Sequence, residues 1–161
     1  MPTKDGHYWL VWSTLLLAAY LSIIPTPPWL ALARPAWLAV MVMFWLLVLP
    51  QSYGMFFAWC VGLMMDVMLG VVLGQNAIAM LILAMITHTS YRRLRLYPLW
   101  QQTLMVLMIV GLYQLTYLWI NSATGHIQPS LIYLLPAVTS ALLWPWLFLF
   151  MQNVCRRCGI A

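Results

Sequence analysis

Six apolar segments follow one another along the chain, separated by short breaks. The segments are long and continuous and do not alternate between apolar and polar positions, so the pattern predicts helices and not strands. Proline, glycine and arginine mark the breaks, as at Pro25 to Pro28, Gly70 to Gly74 and Arg92 to Pro98. The predicted helices cover approximately residues 8–24, 36–51, 53–71, 75–91, 99–121 and 131–154.

The composition indicates that lipid, and not water, surrounds these helices. A chain of 161 residues that is 65% hydrophobic and 6% charged cannot surround a core with a polar shell, so lipid must cover it. Because a crossing takes about 20 apolar residues, the length allows roughly six crossings and no appended module. The sequence therefore predicts an all-α polytopic membrane protein that forms a single transmembrane domain over residues 1–161.

The second segment is the doubtful crossing, because about 14 apolar residues are more typical of a re-entrant piece. Positive charge favours a full crossing. With six crossings and a cytoplasmic N-terminus, only Arg34 lies outside, and the remaining basic residues lie in the cytoplasm. These are Lys4, Arg92, Arg93, Arg95, Arg156 and Arg157. We therefore expect six crossings with both termini in the cytoplasm.

The N-terminus has one alternative interpretation. Lys4, the first apolar run and the small residues Ala31-Leu32-Ala33 resemble a signal peptide with its cleavage site. The run is longer than a usual signal core and rich in tryptophan and tyrosine. Retention as the first helix is the favoured interpretation.

Asp66 is the acidic residue that falls inside an apolar segment. A charge at mid-bilayer costs about 2.5 to 3.5 kcal/mol on insertion scales, so such a residue usually has a specific role. It could serve a substrate or proton path, or it could be a structural carboxylate that locks helix packing. A relay needs several polar groups in series, and a single acid favours the structural role.

Small residues recur every four positions around Asp66. This spacing places them on one face of the third helix, where a neighbouring helix can approach closely. We interpret this stripe as a surface for helix packing and partner binding. Its members are Gly54, Ala58, Gly62, Asp66, Gly70 and Gly74.

Arg34 is the predicted partner of Asp66 within the membrane. Arg34 lies at the predicted outer end of the second helix, and Asp66 lies about one turn from the outer end of the third. Their depths match, and an arginine stem can extend by several ångströms. We therefore predict an ion pair between adjacent antiparallel helices.

Two basic clusters lie on the predicted cytoplasmic side. Arg92, Arg93 and Arg95 form a loop that orients the protein and could also bind a partner's acids or anionic lipid. The segment Cys155-Arg156-Arg157-Cys158 has redox spacing, but it follows the last helix in a reducing compartment. A basic membrane anchor is favoured there over half of a zinc site.

Trp144-Pro145-Trp146 lies in the middle of the sixth helix. Proline removes one backbone hydrogen bond and kinks the helix there. Because tryptophan usually avoids mid-bilayer depth, Trp144 and Trp146 indicate contact with protein, either in this chain or on a partner.

The residue inventory disfavours catalysis. Aspartyl intramembrane proteases need two facing acids, and only Asp66 is available. The three histidines lie in three different segments and the chain has no glutamate, so no metalloprotease site is expected. A net charge of +5 would suggest nucleic acid for a soluble protein, but here the charges flank helices. We expect no enzyme activity, cofactor, metal or nucleic-acid partner.

Several of these motifs occur together in a known family. Arg34-Pro35-x-Trp37, Trp45 with Pro50, and the series from Gly62 through Asp66 and Gly70 to Gly74 resemble MreD, the bacterial rod shape-determining membrane protein. Leu143-Trp144-Pro145-Trp146 followed by basic residues resembles the C-terminal helix of proteobacterial members. The resemblance extends from about Arg34 to Arg157.

The resemblance implies a non-enzymatic subunit of the cell-elongation machinery in the bacterial inner membrane. It implies MreC, RodA and penicillin-binding protein 2 as partners, MreB as an indirect one, and a role in lateral peptidoglycan synthesis and rod shape. It also implies a helix arrangement like that of the substrate-binding subunits of energy-coupling-factor transporters, which is an analogy of fold and not of transport. A homodimer is a further candidate assembly.

The second hypothesis is a transporter subunit that binds a small molecule or lipid. It requires a polar cavity, and the candidate polar groups mostly lie near helix ends. They are Gln75, Asn76, Gln114, Thr116 and Asn121. A deep pocket lined by Asp66, Tyr113 and Gln114 would favour this hypothesis, whereas a closed, aromatic-filled bundle would favour the scaffold.

Overall fold

The computed structural model describes residues 5–25, 27, 33–125 and 131–158. Over these ranges the regular structure is entirely helical, as predicted. One α-helix corresponds to each predicted segment, and a short 3-10 helix at Leu131–Leu134 precedes the last. The helices are α1 (Asp5–Ile23), α2 (Trp37–Val48), α3 (Met55–Leu69), α4 (Gln75–Leu96), α5 (Leu99–Ala123) and α6 (Leu135–Arg157). Lys4, and Ala31 and Leu32 of the alternative cleavage site, lie outside the described residues.

The helices differ in their fitness to cross a bilayer. In the described residues, Leu99–Ala123 and Ile132–Arg157 are long and apolar enough to do so, whereas the apolar helices Tyr8–Ile23, α2 and α3 are shorter. At 1.5 Å per residue, α2 is about 18 Å long, against a hydrocarbon thickness of about 30 Å. The two long helices indicate a membrane protein, and the number of crossings stays a prediction.

Proline sets the end of α2. The predicted segment continued to residue 51, but Leu49 has φ −126° and ψ 60°, outside the helical region. Leu49 precedes Pro50, whose ring disfavours helical geometry in the residue before it. The chain then turns through residues 50–53 before α3 begins.

The short helix α2 is the centre of the bundle. All ten residues from Leu38 to Leu47 are buried, so the helix is covered on every side. It packs against α1, α4 and α6. Trp45 shows how the core is closed, because its indole Nε1 donates a hydrogen bond to Thr14 Oγ1 of α1 at 2.9 Å. A helix that is apolar all round fits this position.

Helices α3 and α4 approach each other closely at Gly62. A Cβ atom placed on Gly62 would lie 2.5 Å from Ala77 Cα and 2.8 Å from Ala77 N. Only glycine allows this distance, because the contact is with backbone that cannot turn aside. The remaining bundle contacts join α4 to α5 and α5 to α6.

The bundle has two ends, which we name by their arginines. At the Arg34 end, α1 and α3 finish and α2 and α4 begin. At the Arg95 end, α2 and α4 finish, because Arg95 reaches the last carbonyls of α2. Each end contains charged side chains that bind backbone groups of a neighbouring helix.

Candidate functional site

Asp66 caps the next helix. Its side chain is fully buried on α3. Its Oδ1 accepts a hydrogen bond from the Asn76 backbone N–H at 2.8 Å, and its Oδ2 accepts one from the Gly74 N–H at 2.9 Å and a longer one from the Ala77 N–H at 3.4 Å. The first amides of a helix have no partner within the helix, and its N-terminus favours negative charge. The carboxylate therefore stabilises the start of α4.

Two glycines form the turn that makes this cap. Gly70 has φ +63° and Gly74 has φ +102°, a backbone region that other residues seldom adopt. Gly70 ends α3, and Gly74 precedes the first residue of α4. The turn is tight, because the backbone N–H of Gly74 binds the side chain of Asp66 only eight residues earlier in the chain.

The middle of the small-residue stripe packs as a helix interface within the chain, and its role as a partner-binding surface stays a prediction. Ala58, Gly62 and Asp66 are buried, and α4 of the same chain covers Gly62. Gly54 is half-buried at the start of α3, whereas Gly70 and Gly74 belong to the turn. The spacing of four identified one face correctly, but the neighbour on that face is intramolecular.

The predicted ion pair between Arg34 and Asp66 is absent. The Arg34 guanidinium donates through Nη2 to the Leu21 carbonyl, near the C-terminus of α1. Both charges serve helix ends of opposite polarity, so neither needs the other for compensation. The two residues lie at the same end of the bundle, but backbone groups at the end of α1 and the start of α4 bind them instead.

The three arginines of the predicted basic loop lie on α4, and their side chains make different contacts. Arg95 donates from Nε to the Leu47 carbonyl at 2.8 Å and from Nη2 to the Val48 carbonyl at 2.6 Å. It thereby caps the C-terminus of α2. Arg92 and Arg93 are exposed, and Arg92 lies over the Tyr91 ring with its Cζ 5.7 Å from the ring centroid.

Trp144 and Trp146 face opposite directions on α6. Trp144 is fully buried, and its Nε1 donates to Gln102 Oε1 at 3.4 Å. Trp146 is 78% exposed. The structure thus accounts for Trp144 within the chain and leaves Trp146 on the outer surface of the bundle, halfway along α6.

Trp146 borders an apolar groove between α1 and α6. The floor of the groove is the otherwise buried α2, and its volume is about 400 Å³. No charged side chain lines it. We call it the α1–α6 groove, and its lining residues are Leu17, Ala18, Leu21, Trp37, Met41, Leu143, Trp146, Leu147 and Phe150.

A second, polar cavity lies at the Arg34 end, with a volume of about 340 Å³. Its wall brings together Arg34, Asn76, Tyr113 and Gln114, of which the last three were candidates for a transporter pocket. Asp66 does not line it but binds the Asn76 backbone behind the wall. The other lining residues are Ser22, Pro35, Ala36, Met65, Leu69, Tyr117 and Pro136.

The wall of this polar cavity is incompletely hydrogen-bonded. Tyr113 donates its hydroxyl to Asn76 Oδ1 at 3.0 Å. Asn76 Nδ2 and Gln114 Oε1 are buried and have no partner. This arrangement could not be predicted from the sequence, because its residues lie on different helices that come together only when the bundle packs.

The described residues contain no metal-binding cluster, since no three His, Cys, Asp or Glu side chains come together in them. Cys155 is buried and Cys158 is exposed, and both are free thiols.

Comparisons with known proteins agree on one family. The family profile described as rod shape-determining protein MreD matches residues 4–154. Rod shape-determining protein MreD of Haemophilus influenzae (strain ATCC 51907 / DSM 11121 / KW20 / Rd) is 31% identical over 156 residues, which cover 92% of this chain and 94% of that protein. No solved structure matches the chain significantly.

Proposed function

Because the chain belongs to the MreD family of rod shape-determining proteins, we propose that it is a non-enzymatic membrane scaffold of the cell-elongation complex. Membership of the family gives the chain a role in cell shape. The proposal adds that the protein binds the single membrane helix of MreC and thereby helps to control lateral peptidoglycan synthesis. It also places the protein in the bacterial inner membrane, with six crossings and both termini in the cytoplasm.

The α1–α6 groove is the observation that carries this proposal. Its lining is apolar throughout, so a partner segment must be apolar too. Helix α1 packs on α2 and leaves the α1–α6 groove open beside α6. A single membrane helix has the shape and the chemistry to lie in this groove, where van der Waals packing drives association.

Trp146 supplies a recognition residue at the edge of the groove. Its indole is large, rigid and exposed at the middle of α6, where lipid tails offer its N–H no acceptor. Tryptophan contributes strongly to binding when it is covered by a partner. Contact with MreC would explain its position better than contact with lipid.

Three charged side chains bind the ends of helices, which supports a role without catalysis. Asp66, Arg34 and Arg95 each bind backbone groups at the end of a helix. These contacts assign the three charges to holding helix ends in place. Arg92 and Arg93 stay exposed and are suited to anionic lipid or to acidic residues of RodA, penicillin-binding protein 2 or MreB.

The polar cavity favours a second candidate function, that of a lipid-binding or small-molecule-binding transporter subunit. Its unpartnered Asn76 and Gln114 atoms are the specific observation behind this candidate. The two candidates use opposite features of the molecule, since the scaffold uses the apolar groove and the binding subunit uses the polar cavity.

Copurification with MreC tests the scaffold. Tagged wild-type protein, Trp146→Ala and Trp119→Ala would be purified from membranes that contain MreC. Trp119 lies on α5 away from the groove and is equally exposed, at 79%. We expect the MreC yield to fall several-fold for Trp146→Ala alone. Equal yields for all three proteins would overturn the proposed groove.

A further inference from the structure

The polar cavity at the Arg34 end has the features of a binding site. Its volume of about 340 Å³ is within the range of small-ligand pockets. Asn76 is 2% exposed and Gln114 is 9% exposed, yet each has one polar atom without a hydrogen-bond partner. Buried polar groups are normally satisfied by protein, water or ligand, so these two atoms are available to a bound molecule.

The unpartnered groups define the chemistry of the missing component. Asn76 Nδ2 is a donor and requires an acceptor, whereas Gln114 Oε1 is an acceptor and requires a donor. The Arg34 guanidinium has five N–H donors, and the described structure uses its Nη2 for the Leu21 carbonyl. The ligand must therefore combine acceptor oxygens, preferably anionic, with at least one hydroxyl or ammonium group.

The charge of Asp66 does not oppose an anion in this cavity. Its two oxygens already accept the backbone N–H groups of Gly74, Asn76 and Ala77 at the start of α4. The start of α4 contributes positive potential on the same side. Arg34 is consequently the side-chain charge that an incoming group meets in the cavity wall.

We propose that this cavity binds the head group of a membrane phospholipid that has a phosphodiester and an amine or hydroxyl, such as phosphatidylethanolamine or phosphatidylglycerol. The phosphate oxygens accept from Arg34 and Asn76, and the amine or hydroxyl donates to Gln114. The apolar lining residues Met65 and Leu69 provide a surface for the first methylenes of the acyl chains.

Gln114→Met is the variant that tests the site with least damage to the fold. It removes the unpartnered oxygen and keeps an unbranched side chain of similar size on α5. Because an unsatisfied buried polar atom is destabilising, the variant should be at least as stable as the wild type without lipid. Gln101→Met is the matched control, since Gln101 lies near the start of the same helix outside the cavity.

Native mass spectrometry of the full-length protein measures binding. Detergent-solubilised protein would be titrated with phosphatidylethanolamine and, in a separate arm, with the water-soluble glycerophosphoethanolamine. We expect a one-to-one lipid adduct in the wild type and in Gln101→Met, and at least tenfold weaker adduct formation in Gln114→Met. Adduct formation with the soluble analogue at equal strength would support the same head-group site with a soluble phosphoester as its ligand.

Thermal unfolding of the same samples separates loss of binding from loss of fold. If Gln114→Met does not fold, Asn76→Asp replaces it, because it keeps the oxygen that accepts from Tyr113 and removes the unpartnered donor. The proposal is overturned if no saturable adduct forms in the wild type. It is also overturned if a folded Gln114→Met or Asn76→Asp protein binds lipid as well as the wild type.

Discussion

The Asp66 carboxylate accepts the backbone N–H of Asn76 at 2.8 Å, and this contact fastens the end of α3 to the start of α4. Together with the bond from Gly74, it places the buried charge of the bundle at a helix N-terminus. The interaction is local to the α3–α4 turn. Asp66 therefore has a structural role in the folded bundle.

Asp66→Asn should destabilise the protein. The variant keeps one acceptor oxygen but presents an NH₂ group to a backbone N–H, and it removes the negative charge from the helix N-terminus. We expect a loss of about 1 to 3 kcal/mol in the free energy of unfolding, measured by denaturant titration in detergent. An unchanged unfolding midpoint combined with lost cell-shape function would indicate a functional carboxylate instead.

Gly62→Ala should weaken the α3–α4 contact. The new methyl group would lie 2.5 Å from Ala77 Cα, so the helices must separate, at a cost of about 1 to 3 kcal/mol. Gly111→Ala on α5 is the control, because a Cβ there has nothing within 4 Å. Alanine is preferred in helices by about 1 kcal/mol, so the control should be neutral or stabilising. Equal unfolding midpoints for the two variants would contradict the close approach.

Arg95→Ala should lower stability more than Arg93→Ala. Each variant removes one positive charge from the last turn of α4, so their effects on orientation should be equal. Only Arg95 binds the α2 carbonyls, and hydrogen bonds of a charged group contribute about 1.5 to 3 kcal/mol. The comparison requires unfolding curves and an accessibility assay for orientation. Equal destabilisation by both variants would show that the Arg95 contacts do not matter.

The two tryptophans of α6 should respond in opposite ways. Trp144→Ala empties a fully buried position and should cost about 3 to 5 kcal/mol, whereas Trp146→Ala should leave the free energy of unfolding nearly unchanged. Unfolding of the isolated protein in detergent distinguishes them. A large loss for Trp146→Ala without any partner present would show that the indole packs within the chain.

The helices were predictable from sequence because apolar runs and their glycine and proline breaks are local signals. The predicted segment 75–91 stopped short of Leu96, however, because its last turn has the arginines that were interpreted as loop residues. Arg95 shows why this happens. Its charge suggests a loop, but in the structure the side chain reaches the carbonyl ends of α2.

The contacts of the site were less predictable. The spacing from Ala58 to Asp66 identifies one helix face but does not say which neighbour covers it. Likewise, the depth of Arg34 does not reveal that its guanidinium binds the Leu21 carbonyl and not Asp66. Groups that meet through long-range packing, such as Asn76 and Gln114, leave no pattern in a single sequence.

The most direct test of the scaffold is photo-crosslinking in native membranes from a photoreactive residue at position 146. We expect a crosslink to the membrane helix of MreC from this position, and none from a photoreactive residue in place of Met108, which is exposed on α5 away from the groove. Capture of MreC from position 108 but not from position 146 would contradict the α1–α6 groove as the binding surface.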